Sequence, residues 1–309
     1  MGALPSSRIT NKKAIAMGLA LGLAAFLIIV GLARFRSAEP QIVQYTPTTN
    51  GVGVVDIGSS QHGVPYSYET TSFLGNASIQ SLAGNDSLSI QLNLFLMVSI
   101  DNTRQYYWVQ DVAGFVLTSN SRTCQLYYES SIYNVTSRNA GLNSSLLSGK
   151  GSIIEWQQGF YYTYLTTRQQ IQLPYNLTIS MNASRNLNGE PVVDFSYSSG
   201  LQKVVFNTVT FLMESNSSSF YVSGSHGAIY DAEFVLTDVG GGGTVALFSP
   251  TTVDLSLLCL NQTTQTYLSV PHALNYGIYT AEKIINYDTL TQGRTVEITS
   301  GNGTKEILW

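Results

Sequence analysis

The sequence predicts an all-β fold, an antiparallel β-sandwich, preceded by one apolar N-terminal helix. Three observations predict it. Apolar and polar residues alternate with period two along most of the chain beyond residue 50. Turn-forming clusters separate these runs, among them Asn188-Gly189-Glu190, the Ser/Asn stretch 215–219 and Gly240–Gly243. After residue 36 there is no helical periodicity apart from a short stretch at 278–286, read as a single helical turn. About a dozen short strands at this spacing imply a sandwich or barrel.

The first element is residues 14–33, twenty consecutive uncharged and mostly apolar residues. That length spans a bilayer core as a helix. A cleaved signal peptide is the alternative, with Gly31-Leu32-Ala33 as small residues for cleavage, but its apolar region is usually about 7–15 residues. Length therefore favours a retained anchor. Arg8, Lys12 and Lys13 precede the segment while Arg34 and Arg36 follow it, so flanking charge does not orient it. Residues 1–36 are read as a cytoplasmic tip and transmembrane anchor, 37–50 as a Pro- and Thr-containing linker, and 51–309 as an extracellular β domain. The expected location is the cell membrane, single-pass, or the medium if the segment is cleaved. Nine Asn-x-Ser/Thr sequons (Asn76, Asn85, Asn134, Asn143, Asn176, Asn182, Asn216, Asn261 and Asn302) all lie beyond the apolar segment, and N-glycans are expected there.

The strands follow in order. In 87–98, Leu88, Ile90, Leu92, Leu94, Leu96 and Val98 line one face. Ser87, Ser89, Gln91 and Asn93 line the other, as in a half-buried strand. Comparable runs occupy 105–117, 125–135, 159–166, 176–183, 191–198, 202–213, 229–239 and 252–260.

Composition narrows the function. Only 11% of the 309 residues are charged, against about 25% in ordinary domains, and 36 Ser with 29 Thr take their place. The chain is too apolar and aromatic to be disordered. A net charge of −4 without a basic patch excludes nucleic-acid binding. Two cysteines exclude a disulfide-dense or Cys-rich zinc fold; Cys124 and Cys259 could pair in an oxidising space. His62, His226 and His272 are far apart and read as loop histidines, so neither metal nor cofactor is expected. Beyond residue 36, ten basic residues stand against nineteen acidic ones, leaving −9 at neutral pH. Full protonation would give only about +13, counting the three histidines, so self-repulsion in acid is modest. Few carboxylates also mean few ion pairs to lose on acidification.

No Gly-x-Ser-x-Gly is present, and no histidine is set as a base. Gly240–Gly243 lacks the Lys of a phosphate-binding loop. The candidates are acids and amides inside apolar strands: Asp56, Asp111 beside Gln110, Asp194, and Asp231 with Glu233. Asp231 and Glu233 share a face by alternation. Gln110 shares one with Tyr106 and Trp108, and Asp111 shares the opposite face with Tyr107 and Val109. A carboxyl held near an acid or amide partner can activate water while the scissile carbonyl is polarised. Flanking Tyr and Trp would contact substrate side chains.

The segments 50–58, 66–82, 89–115, 189–197 and 231–243 resemble, in order, those of the thermopsin family of secreted or membrane-attached archaeal acid proteases. The strongest pieces are Tyr107-Trp108-Val109-Gln110-Asp111-Val112 and the 232–243 stretch. The resemblance implies an acid endopeptidase acting on polypeptides. The chain lacks the Asp-Thr/Ser-Gly pair of pepsin-like enzymes, so the resemblance leaves the catalytic residues open. Residues 231–248 are also similar to a segment of the fungal glutamic peptidases, whose fold is a concanavalin-like sandwich. There an Ala-Glu-aromatic strand carries the catalytic Glu, with a Gln on a neighbouring strand. That resemblance implies Glu233 as general base or acid, and Gln110 as its partner if their strands are neighbours. Asp111 and Asp56 are the rival catalytic pair. The alternative function is a non-enzymatic glycosylated surface module, carbohydrate-binding or part of an envelope.

Overall fold

The computed structural model describes residues 52–60, 64–83, 87–118, 122–137, 140–156, 159–224, 231–238, 245–247, 251–270, 274–276, 283–285, 287–292 and 295–300. The apolar segment 14–33, the linker 37–50 and the three histidines lie outside the described residues. In chain order the strands are β1 (Val52–Asp56), β2 (Ser67–Thr70), β3 (Ser72–Ser81), β4 (Leu88–Ile100), β5 (Thr103–Leu117), β6 (Thr123–Asn134), β7 (Leu147–Ser148) and β8 (Ser152–Trp156). Then come β9 (Gly159–Leu165), β10 (Gln169–Gln172), β11 (Tyr175–Arg185), β12 (Pro191–Ser199), β13 (Gln202–Phe211), β14 (Ser217–Ser223) and β15 (Ala232–Asp238). The last are β16 (Val245–Leu247), β17 (Thr252–Asn261), β18 (Thr266–Ser269), β19 (Leu274–Tyr276), β20 (Lys283–Ile285), β21 (Tyr287–Gln292) and β22 (Thr295–Ser300).

Two antiparallel sheets hold nearly all of them. The first runs β19-β1-β15-β4-β5-β6-β9-β8, with β10 on β6 and β14 joining β4 to β2. The second runs β21-β22-β17-β3-β11-β12-β13-β7, with β18 on β17. Apolar side chains from both sheets form one buried cluster, an arrangement consistent with a β-sandwich. Rings meet across it: Tyr107 of β5 lies 4.7 Å from Phe211 of β13, and Tyr128 of β6 stacks at 3.7 Å on Tyr197 of β12. Phe234 of β15 reaches so close to β3 that a Cβ on Gly75 would lie 2.4 Å from its ring. Only glycine fits there, and its absent side chain sets how deeply β15 docks.

Three expectations change. β4 is buried on both faces rather than one, because Ser89, Gln91 and Asn93 on its second face are enclosed as fully as its leucines. It is central in its sheet, with β15 and β14 paired along one edge and β5 along the other. Residues 283–285, expected in a helical turn, form β20 and pair parallel with β16. Cys124 and Cys259 are free thiols on different sheets, so they make no disulfide.

Candidate active site

The registers of the first sheet align a row of polar side chains across its outer face. Glu233 of β15 is opposite Asn93 of β4, Asn93 is opposite Gln110 of β5, and Gln110 is opposite Ser131 of β6. Alternation along each strand puts these side chains on the face away from the second sheet, since Phe234, Leu92, Leu94 and Val109 fill the core between. Glu233 and Gln110 therefore share a face of one sheet. Their strands are not neighbours, however. β4 lies between them, and Asn93 spans the gap of about 10 Å that two strand spacings impose.

Hydrogen bonds join the row. The Asn93 amide donates to Glu233 Oε2 at 3.1 Å, and Asn93 Oδ1 accepts from Gln110 Nε2 at 3.0 Å. Gln91, one pleat along β4, accepts from both amides at 3.4 Å and donates to Ser89 Oγ at 2.9 Å. Glu233 and Asn93 are wholly buried, and Gln110 is the most open of the network at 8% exposure. In such a site each bond is stronger than in water, and an unsatisfied charge is costly.

A second carboxyl lies beside Glu233. Asp231 precedes β15 by one residue, shares the Glu233 face and is 1% exposed. Its carboxyl hydrogen-bonds that of Glu233. Burial first, and then the Glu233 carboxyl, push its pKa well above the usual carboxylate range. A hydrogen bond between two carboxyls needs a proton on one of them. Glu129 of β6 is a further acid, accepting from Ser131 and Thr163 hydroxyls at 2.9 Å each. Next to the polar row, Phe95, Met97, Tyr106 and Val135 form a separate apolar cluster with Trp108, Tyr133 and Tyr221. Trp108 lies 5.6 Å from Tyr133, itself stacked at 4.7 Å on Tyr161. Tyr106 and Trp108 thus flank Gln110 along β5. Among the described residues, no group of three or more His, Cys, Asp or Glu is placed to hold a metal ion.

The structure places Asp56 and Asp111 on the opposite face of the same sheet, between the two sheets. Asp56 pairs with Ala232, not with Glu233. Its Oδ1 accepts from the Gly58 N–H at 2.9 Å and from the Tyr66 hydroxyl, and its Oδ2 from the Tyr68 hydroxyl at 2.9 Å. These bonds fasten the end of β1 to the segment entering β2. Asp111 lies three strands from β1, about 14 Å in strand spacings, so the two carboxyls form no pair. Asp194, on β12, accepts from the Thr208 hydroxyl at 2.6 Å and belongs to the second sheet.

Asp111 is wholly buried, and among the described residues neither carboxyl oxygen makes a hydrogen bond of good geometry, the Ser196 backbone being only a weak contact. Burial pushes its pKa well up, only partly offset by the Ser196 backbone and the Lys203 charge. An acid whose folded pKa is raised keeps its proton in the folded chain after the unfolded chain has lost it. Its contribution to stability is complete below the unfolded value of about 3.9 and is lost as pH rises toward the folded pKa, at about 1.4 kcal/mol per pH unit. Asp231 acts with the same sign. Wild-type Tm should therefore fall as pH is raised above about 4, and Asp111→Asn should flatten that fall. Thermal melts at several pH values test this; equal slopes in the two proteins would contradict it.

Period-two alternation assigns Gln91 and Asn93 to the polar face of a half-buried strand, and neither they nor Glu129 stand out as site residues by sequence. The available signal was three polar residues at period two, Ser89, Gln91 and Asn93, in a strand with no charge and no turn former.

A sequence model of the family described as Thermopsin matches residues 38–287. Thermopsin of Sulfolobus acidocaldarius is 26% identical over 276 residues, which span 81% of this chain and 79% of that protein. Two solved structures are similar over 82% of this chain and 98% of theirs. One is scytalido-glutamic peptidase with a transition state analog inhibitor, 13% identical with a TM-score of 0.36. The other is SCP-B, a member of the Eqolisin family of peptidases in complex with the tripeptide Ala-Ile-His, 14% identical with a TM-score of 0.39.

Proposed function

The chain belongs to the thermopsin family and is a thermopsin-like acid protease, and on that premise we propose that it cleaves polypeptides outside the cell with Glu233 as general base and then general acid. The observation that carries this reading is the buried row Glu233–Asn93–Gln110, a carboxyl and two amides joined on one sheet face. Substrate enters from the Gln110 side, where the aromatic cluster offers apolar contact. Water attacks the scissile carbonyl carbon, and Glu233 takes a water proton as the C–O bond forms. The negative charge that develops on the carbonyl oxygen is met by Gln110 Nε2, whose 3.4 Å bond to Gln91 is the weaker of its two and the one to yield. Glu233 then passes its proton to the leaving nitrogen as the C–N bond breaks, which gives a carboxylic acid and an amine.

Residues 14–33 would tether the enzyme, and the sequons Asn76 on β3 and Asn176 and Asn182 on β11 would carry glycans on the second sheet, away from Glu233. The full-length chain should fractionate with membranes, and N-terminal sequencing that begins near residue 34 would refute the anchor. Incubated with a denatured protein at about pH 3, the same material should release peptides found by mass spectrometry. No release under these conditions would refute the proteolytic role.

A further inference from the structure

We propose that Asp231 is a positioning residue that shares one proton with Glu233 and thereby sets the upper pH limit of the activity. The inference rests on Glu233 as the base. Three observations carry it. Asp231 and Glu233 stand two residues apart on one face, and their carboxyls hydrogen-bond each other. Both are enclosed, at 1% and 0% exposure. Asp231 Oδ2 is buried with no partner among the described residues, and the residue's own backbone N–H, which favours the charged carboxylate, is outweighed by burial and by Glu233.

Among the described residues, the other groups around the pair do not supply a positive charge. Asp56 on β1 is an acid and acts on Asp231 in the same direction as Glu233. From β4 the pair faces Asn93, which is uncharged; of the other described carboxyls on this face, Glu129 stands three strands away on β6, and Glu69 on β2, opposite Tyr221 of β14, is exposed to solvent. Two adjacent buried carboxylates without a cation repel each other, so the stable form holds one proton for the two.

That proton has work in the reaction. While Glu233 takes the proton of the attacking water, the shared proton moves fully onto Asp231. After Glu233 has protonated the leaving nitrogen, the shared proton returns between them. The pair begins and ends with one proton, so the cycle balances. When pH rises enough to remove it, Asp231 no longer donates to Glu233, and the base is left beside a like charge.

The test is the pH profile of kcat/KM for the full-length wild type, Asp231→Asn and Asp231→Ser, with circular dichroism at each pH to separate unfolding from ionisation. Asn and Ser both donate a hydrogen bond to Glu233 and neither ionises. One pH unit above the wild-type alkaline midpoint, the wild type should retain about a tenth of its optimal rate and Asp231→Asn most of its own, with the acid limb little changed. A rate lowered by one factor at every pH would overturn the proposal, as would failure of both variants to fold at acid pH. Wild-type activity that survives Glu233→Gln would instead refute Glu233 as the base, a result distinct from either.

Discussion

Glu233→Gln should lower kcat/KM for peptide hydrolysis at acid pH by a factor of about 10² or more, with little change in Tm. The side chain is wholly buried and bonded through Oε2 to Asn93. Glutamine keeps its size, and its amide oxygen can still accept from Asn93, so the packing of β15 survives. What is lost is the capacity to take up and return a proton. Gln110→Ala removes the donor aimed at the developing oxyanion and should cost about 10²–10³, mainly in kcat. Asp111→Asn, on the far side of the sheet, should leave kcat within a few fold. If Asp111→Asn and Asp56→Asn abolish activity while Glu233→Gln spares it, the aspartate pair is the catalytic one and the reading is wrong. Asp56→Asn needs a melt alongside, because Asp56 accepts three bonds across both its oxygens and an amide cannot replace them all.

Phe234→Ala should destabilise the fold by about 3–5 kcal/mol. For a domain of this size that is a fall of about 10 °C or more in Tm. The ring is wholly buried and fills the space left by the missing side chain of Gly75. Around it the strand registers put Val54 and Leu92, so little can collapse into the vacancy. Because Phe234 and Glu233 are successive residues on opposite faces, the ring fixes the depth of β15 and hence the position of the carboxyl. Any folded Phe234→Ala protein should therefore also lose activity. Gly75→Val should destabilise too, since its side chain would enter the Phe234 ring. A melt unchanged in either variant would show that β15 docks by other contacts.

The sequence by itself determined the strands and the faces they present. Alternation in 87–98 and 105–117 was enough to separate Gln110 from Asp111 and Glu233 from Phe234, because in a strand the direction of a side chain depends only on the parity of its position. Scarcity of charge pointed to a few acids within apolar runs, and four of them, Asp56, Asp111, Asp231 and Glu233, are enclosed by the fold, whereas Asp194 is not. Only the tertiary structure decided which strands are neighbours. Pairing β15 with β4 joins residues 140 positions apart, and nothing local in either strand specifies it. That pairing inserted Asn93 between Glu233 and Gln110, brought a face that reads as solvated into a closed site, and left Asp56 and Asp111 on the far side of the sheet. Side-chain parity is a property of each strand, whereas strand order is chosen by the packing of the whole core, of which the contact between Phe234 and Gly75 is one term.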